Sequence, residues 1–324
     1  MLDPIGRTHG IDPKRRGNIT IFYGEPQTGL RALVRSSMRR EGFGDVRLFA
    51  TLQPMIRAIG ERPPDLVLVD GAMPDGDACR AIRDLREGRL GSNPFVPTIV
   101  MSWQPTQSLV RNVMNCGSDD LIAKPNSPEQ ILVRIGALAH RRKPFVATSD
   151  YIGPDRRADD APEIPRIVVP NTLRSKALGE PVDEISMRGA INDALRTINE
   201  ERLRRNAAAI AELVGLLIPS YRTRTADDDI LKAATRLLSV VEDTGRRLRG
   251  TSYEPVAELC RAMQAVAARM VEVHPVPVPK DLDLLPRLAE AVVVGFSAFR
   301  PGQDAQAAGA ALVAVGGLLR TRAA

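Results

Sequence analysis

The 324-residue chain carries 45 Lys and Arg against 39 Asp and Glu, with 44% hydrophobic residues, a composition that fits an ordinary globular protein long enough for two domains. Its three cysteines, Cys79, Cys116 and Cys260, form no CxxC pair, which excludes a disulfide framework and a zinc site. Residues 1–150 hold 21 Lys and Arg against 16 Asp and Glu, whereas residues 151–324 hold 24 against 23, so the half that would bear a DNA-binding output is nearly neutral and nucleic acid is disfavoured as a partner.

In chain order, MLDPIGRTHGIDPKRRGN has no apolar core and reads as a flexible N-terminus over residues 1–17, not a signal peptide. From residue 18, short β-rich runs alternate with amphipathic stretches. NITIFY, VRLFA, DLVLVD, PTIVMS and DDLIA are expected strands. Between and after them lie helical patterns at Gln27 to Gly42, TLQPMIRAIGE, DACRAIRDLREG, PTQSLVRNVMNCG and SPEQILVRIGALAHRR. Ser127 before Pro128 marks the last helix start, as cap and first-turn proline. Five β/α units predict an α/β domain over residues 18–142, a doubly wound parallel sheet with helices on both faces.

Residues 143–181 contain proline after proline and the motif GPDRR, and read as an extended linker partly ordered by its own arginines and aromatics. Residues 182–324 are expected to form an all-α bundle, with helices near 183–218, 226–249, 254–273, 281–298 and 303–322, punctuated by Pro219, Gly250, Pro275, Pro277, Pro279 and Pro301. The longest uncharged run, AAGAALVAVGGLL, falls short of the ~20 residues of a spanning helix, so a cytoplasmic protein is expected.

In a doubly wound sheet, functional groups gather at the carboxyl ends of the strands. Asp70 ends the third strand, Ser102 the fourth and Lys124 the fifth, while Glu25 follows the first in YGEPQ. With Met73 and Pro74 in the loop DGAMP and the pair Lys124-Pro125, residues 18–142 resemble the response-regulator receiver domain of two-component signalling. The resemblance implies strand order 2-1-3-4-5 and Asp70 as phosphoacceptor for a histidine kinase or phosphotransfer protein. It further implies that Ser102 and Lys124 contact the phosphoryl group, and that Glu25 and Asp70 hold a Mg²⁺ ion. The tail KPFVATSDYIGPDRR resembles one that follows receiver domains in some alphaproteobacterial regulators, and it could dock back on the domain.

Two positions depart from the family pattern. Where the family has two adjacent acids after the first strand, this chain has Glu25 and then Pro26, so one metal carboxylate is missing. Leu121 stands where the family's switch residue is commonly aromatic. Cys79 and Cys116 fall within helical stripes and read as buried apolar residues. His140 reads as a cation at a helix C-terminus, and His274 lacks the context of a phosphotransfer histidine. ERLRR (201–205) and RRLRG (246–250) read as solvated helix faces. The expectation is a regulator rather than an enzyme, with a protein-binding or homodimerising helical output. A phosphorylation-independent scaffold is the alternative, and a nucleic-acid-binding regulator a third reading.

Overall fold

Strand β3 (Leu66–Asp70) is buried along its whole length, because its side chains alternate between two covered faces of one sheet. Leu66 and Leu68 join Ile21, Tyr23, Ile99 and Met101 on one face, under α2 (Thr28–Arg40) and α6 (Pro128–Arg141). Val67 and Val69 join Phe22 and Val100 on the other, under α3 (Leu52–Glu61), α4 (Ala78–Arg86) and α5 (Gln107–Asn115). The remaining strands are β1 (Thr20–Gly24), β2 (Asp45–Phe49), β4 (Thr98–Ser102) and β5 (Asp120–Ala123). All pairs are parallel, in the order β2-β1-β3-β4-β5, which is the doubly wound sheet expected from the sequence. This is a computed structural model, and it describes residues 11–157, 164–249 and 254–297.

Among the described residues of 143–181 the segment is not simply extended, and its tail docks on the domain through its arginines and aromatics. Strands β6 (Phe145–Ala147) and β7 (Ile152–Pro154) form an antiparallel hairpin, and Phe145 also bridges to Ile167. Helix α7 (Thr172–Leu178) sends Leu173 and Ala177 into the core under α6, and its Lys176 pairs with Asp65 at 2.6 Å. The apolar side chains among the prolines account for the difference: they dock, and extension would leave them in water. Nor is all of 1–17 loose, since Ile11 is buried and Pro13–Arg16 form the short α1.

The chain divides into compact units at Ile198 and Asn199, not at residue 182. This point lies inside α8 (Glu184–Arg222), whose Ile191, Ala194 and Ile198 cluster with Phe95 and Phe145 in the first unit, while Ile185 is exposed. Pro219 does not end that helix, which runs one turn further to Arg222. The second unit continues with α9 (Asp228–Leu248), α10 (Glu254–Glu272) and α11 (Pro279–Ser297) around one apolar core. The expected helix at 303–322 lies outside the described residues. The two basic runs are not simply solvated. Arg202 and Arg247 are buried on Asp243, where their charges hold its carboxyl below the usual range against the opposing effect of burial. No helix among the described residues is long and apolar enough to cross a membrane.

Candidate functional site

Glu25, Asp70, Ser102 and Lys124 stand at the carboxyl edge of the sheet, and Leu121 within β5. Asp70 closes β3 and Ser102 closes β4, Lys124 follows β5, and Glu25 follows β1 with its backbone N–H bonded to Phe49 O. Because the order puts β1 beside β3, Glu25 and Asp70 meet. The Lys124 ammonium donates to both, to Glu25 Oε2 and to Asp70 Oδ2. All three side chains are almost wholly removed from solvent, at 4% or less.

The remaining carboxylate oxygens are also engaged. Glu25 Oε1 accepts from Gln27 N at 3.0 Å, and Asp70 Oδ1 from Ala72 N at 2.6 Å. Tyr23 Oη donates to Glu25 Oε2 at 3.3 Å; burial first, then the Glu25 charge, push that phenol's pKa upward, so it stays protonated. Arg31 ties the β1–α2 loop by donating to the carbonyls of Glu25 and Pro26.

Ser102 is brought to the same edge without touching the triad: its hydroxyl accepts from Gln104 N at 3.2 Å. Met73 is buried against the α3–α4 layer, whereas Pro74 is exposed. Leu121 is half-buried on β5, packed against the same layer. Two residues at this edge escaped sequence reasoning. Asp75, in the loop after β3, accepts from the N–H groups of Leu52 and Gln53 and so caps α3 in place of Thr51, whose side chain makes no cap. Trp103 is exposed and lies with its ring centroid 5.6 Å from Lys124 Nζ. A tryptophan straight after the strand-ending serine was a readable signal for the latter.

The opposite, amino edge of the sheet holds what became of the GPDRR motif. Arg156 donates to the carbonyls of Met114, Ser118 and Asp119. Asp155 accepts from Arg157 and Arg166, whose hydrogen bonds hold its carboxyl well below the usual range. Gly117, at φ +84, allows Ile152 O to approach so closely that a Cβ there would lie 2.4 Å from it. Beneath the hairpin the Arg86 side chain, 1% exposed, donates to the carbonyls of Gly117, Pro94 and Val96, to Thr98 Oγ1 and to Asp119 Oδ2. Arg142 joins it on Asp119, and both guanidinium groups lie over Phe145.

With this geometry in place, the comparisons with known proteins agree on the first domain. The response regulator receiver domain family matches residues 25–136. The KDP operon transcriptional regulatory protein KdpE of Escherichia coli K12 is 30% identical over 40% of this chain and 54% of its own length. The phosphate regulon regulatory protein PhoB of Rhizobium meliloti is 27% identical over 39% of this chain and 54% of its own. This chain thus spans about half the length of the curated relatives it matches. Among solved structures, a CheY-like receiver from Methanospirillum hungatei aligns over 36% of this chain and 90% of that one, at 21% identity and a TM-score of 0.33. Residues 25–136 thus match the receiver domain of response regulators, and a helical region follows them.

Receiver domains typically bind Mg²⁺ in the active site, and the residues present here do not fit such an ion. Mg²⁺ needs oxygen ligands free to face it. Glu25 and Asp70 share one ammonium, each of their remaining oxygens is held by a backbone N–H, the next position is Pro26, and Asp75 spends both its oxygens on the N–H groups of Leu52 and Gln53. Among the described residues no three His, Cys, Asp or Glu come together as a metal-binding group.

Proposed function

We propose that the protein is a two-component response regulator in which Asp70 accepts a phosphoryl group from a histidine kinase or phosphotransfer protein. The observation that carries this reading is the Asp70 carboxylate at the end of β3, oriented by Lys124 and flanked by the Ser102 strand end. Phosphoryl transfer asks of a protein chiefly a positioned acceptor and fixed charge for the oxygens of the transferred group. Lys124 supplies charge, and Ser102 has a hydroxyl free to donate, since its oxygen is only an acceptor toward Gln104 N. In this role the protein is a cytoplasmic regulator, not an enzyme.

The helical region is the output, acting through protein contacts or a homodimer. The near balance of charge in residues 151–324 supports this over DNA binding, for which phosphate contacts need a basic surface. The transcriptional relatives speak only for the half of their length that is matched.

Incubation with a small phosphodonor, followed by intact mass measurement, should add one phosphoryl group to the wild type and none to Asp70→Asn. An adduct that survives Asp70→Asn would overturn the assignment. The closed Glu25–Lys124–Asp70 triad favours a second reading, a receiver-shaped scaffold that binds its partner without phosphate, and a wild type that takes no adduct would point there.

A further inference from the structure

The triad has a charge arithmetic of its own. In a receiver with a bound divalent ion, the carboxylates face the metal; here Glu25 and Asp70, on β1 and β3, face a lysine reaching across from β5. Pro26 offers neither a side-chain oxygen nor an N–H, and Arg31 clamps the carbonyls of Glu25 and Pro26, adding a second cation to the loop that would otherwise carry acids. A divalent ion entering this edge would have to displace an ammonium held by two carboxylates and would meet a guanidinium beside it.

We propose that this phosphoryl site is independent of divalent metal: the Lys124 ammonium, held between Glu25 and Asp70, stands in the ion's place. The proposal rests on the reading of Asp70 as phosphoacceptor. In the reaction Asp70 Oδ forms the new P–O bond as the donor's bond to phosphorus breaks, and the donor leaves with that electron pair. The carboxylate's single charge becomes the two of an acyl phosphate, while Lys124 remains beside it as the compensating cation. The transfer is consequently slow, and it is no faster with Mg²⁺ than without.

Trp103, the single tryptophan of the chain, sits over Lys124 and reports on the site without any chemistry. The full-length protein is titrated with MgCl₂ by Trp103 fluorescence and by calorimetry. Its phosphorylation by phosphoramidate is timed by intact mass in millimolar Mg²⁺ and in EDTA. Expected are no saturable Mg²⁺ response and equal adduct rates, whereas a metal-dependent site would slow by about a hundredfold or more in chelator. A saturable Mg²⁺ response, or a rate that collapses in EDTA, overturns the inference and leaves Asp70 the phosphoacceptor. If no adduct forms in either condition, the phosphoacceptor reading fails and takes metal-free transfer with it, while the titration still decides whether lysine excludes the ion. Lys124→Met, which frees two carboxylates, should gain Mg²⁺ binding. A folded Lys124→Met that ignores Mg²⁺ would show that lysine does not hold the ion's place.

Discussion

The two edges of the receiver sheet use buried charge in opposite ways. At the carboxyl edge two carboxylates share one ammonium, so like charges are held together in a pocket from which water is excluded. At the amino edge Arg86, Arg142 and Arg156 meet Asp119 and a set of backbone carbonyls that take up their donors, and Phe145 lies under two of the guanidinium groups. The amino edge is a satisfied network that fastens the hairpin and tail to the domain. The carboxyl edge instead gathers its buried charge on one ammonium, beside the proposed phosphoacceptor. Stability is built at one edge, and under the proposed function reactivity is kept at the other.

The largest test of this contrast is Arg86→Met. Burial pulls the Arg86 guanidinium down to about 10, with Asp119 opposing, so the group is still charged at neutral pH. Removing it leaves the Gly117, Pro94 and Val96 carbonyls without that donor and takes one of two arginines from Asp119, and should cost about 3–5 kcal/mol in urea unfolding of the protein's first transition. Arg156→Ala comes next. It deletes donors to the Met114, Ser118 and Asp119 carbonyls. The expected loss is about 1–3 kcal/mol, expressed locally as faster proteolysis and hydrogen exchange around residues 145–157. A protein indifferent to both changes would mean that the tail is not fastened by its arginines.

Acid provides a smaller effect at the same edge. Asp155 has its carboxyl pKa depressed by hydrogen bonds from Arg157 and Arg166. A depressed folded-state pKa contributes stability that is complete above the ordinary carboxylate value of about 4 and is lost as pH falls below it. Protection of the tail should therefore fall on acidification through that range, and Asp155→Asn should show reduced protection at neutral pH with a flatter acid profile.

The strand ends were legible because a residue's place at the end of an apolar run is a property of the chain itself. Asp70, Ser102 and Lys124 could be put on one edge from the alternation of elements alone. That Lys124 would reach Glu25 could not, since the pair depends on strand order and on the length of a lysine side chain crossing two neighbouring strands. Arg86 reads as one more arginine in DACRAIRDLREG. Its burial is decided by the carbonyls of Pro94, Val96 and Gly117, which come from loops with no periodic signal. The proline-rich segment misled for a related reason. Prolines announce breaks in regular structure, yet Phe145, Ile152, Ile167 and Leu173 between them are core residues. Pro219 likewise suggested a helix end, where the helix carries on for one turn.

The smallest expected effect separates the two edges by its sign. Glu25 shares the Lys124 ammonium with Asp70, so the attraction an amide would lose is offset in part by relief from a second buried carboxylate. What remains is the cost of holding an ionised carboxylate at 0% exposure, which an amide avoids. Glutamine at this position keeps one oxygen for Gln27 N, while its NH2 stands where Oε2 was and donates to Tyr23 Oη, which turns from donor to acceptor. Glu25→Gln should therefore unfold within about 1 kcal/mol of the wild type, on the more stable side. The same substitution leaves Lys124 wholly to Asp70. If the variant instead loses several kcal/mol, as expected for Arg86→Met, the triad is a fastening like the network at the amino edge, and the division between the two ends of the sheet fails.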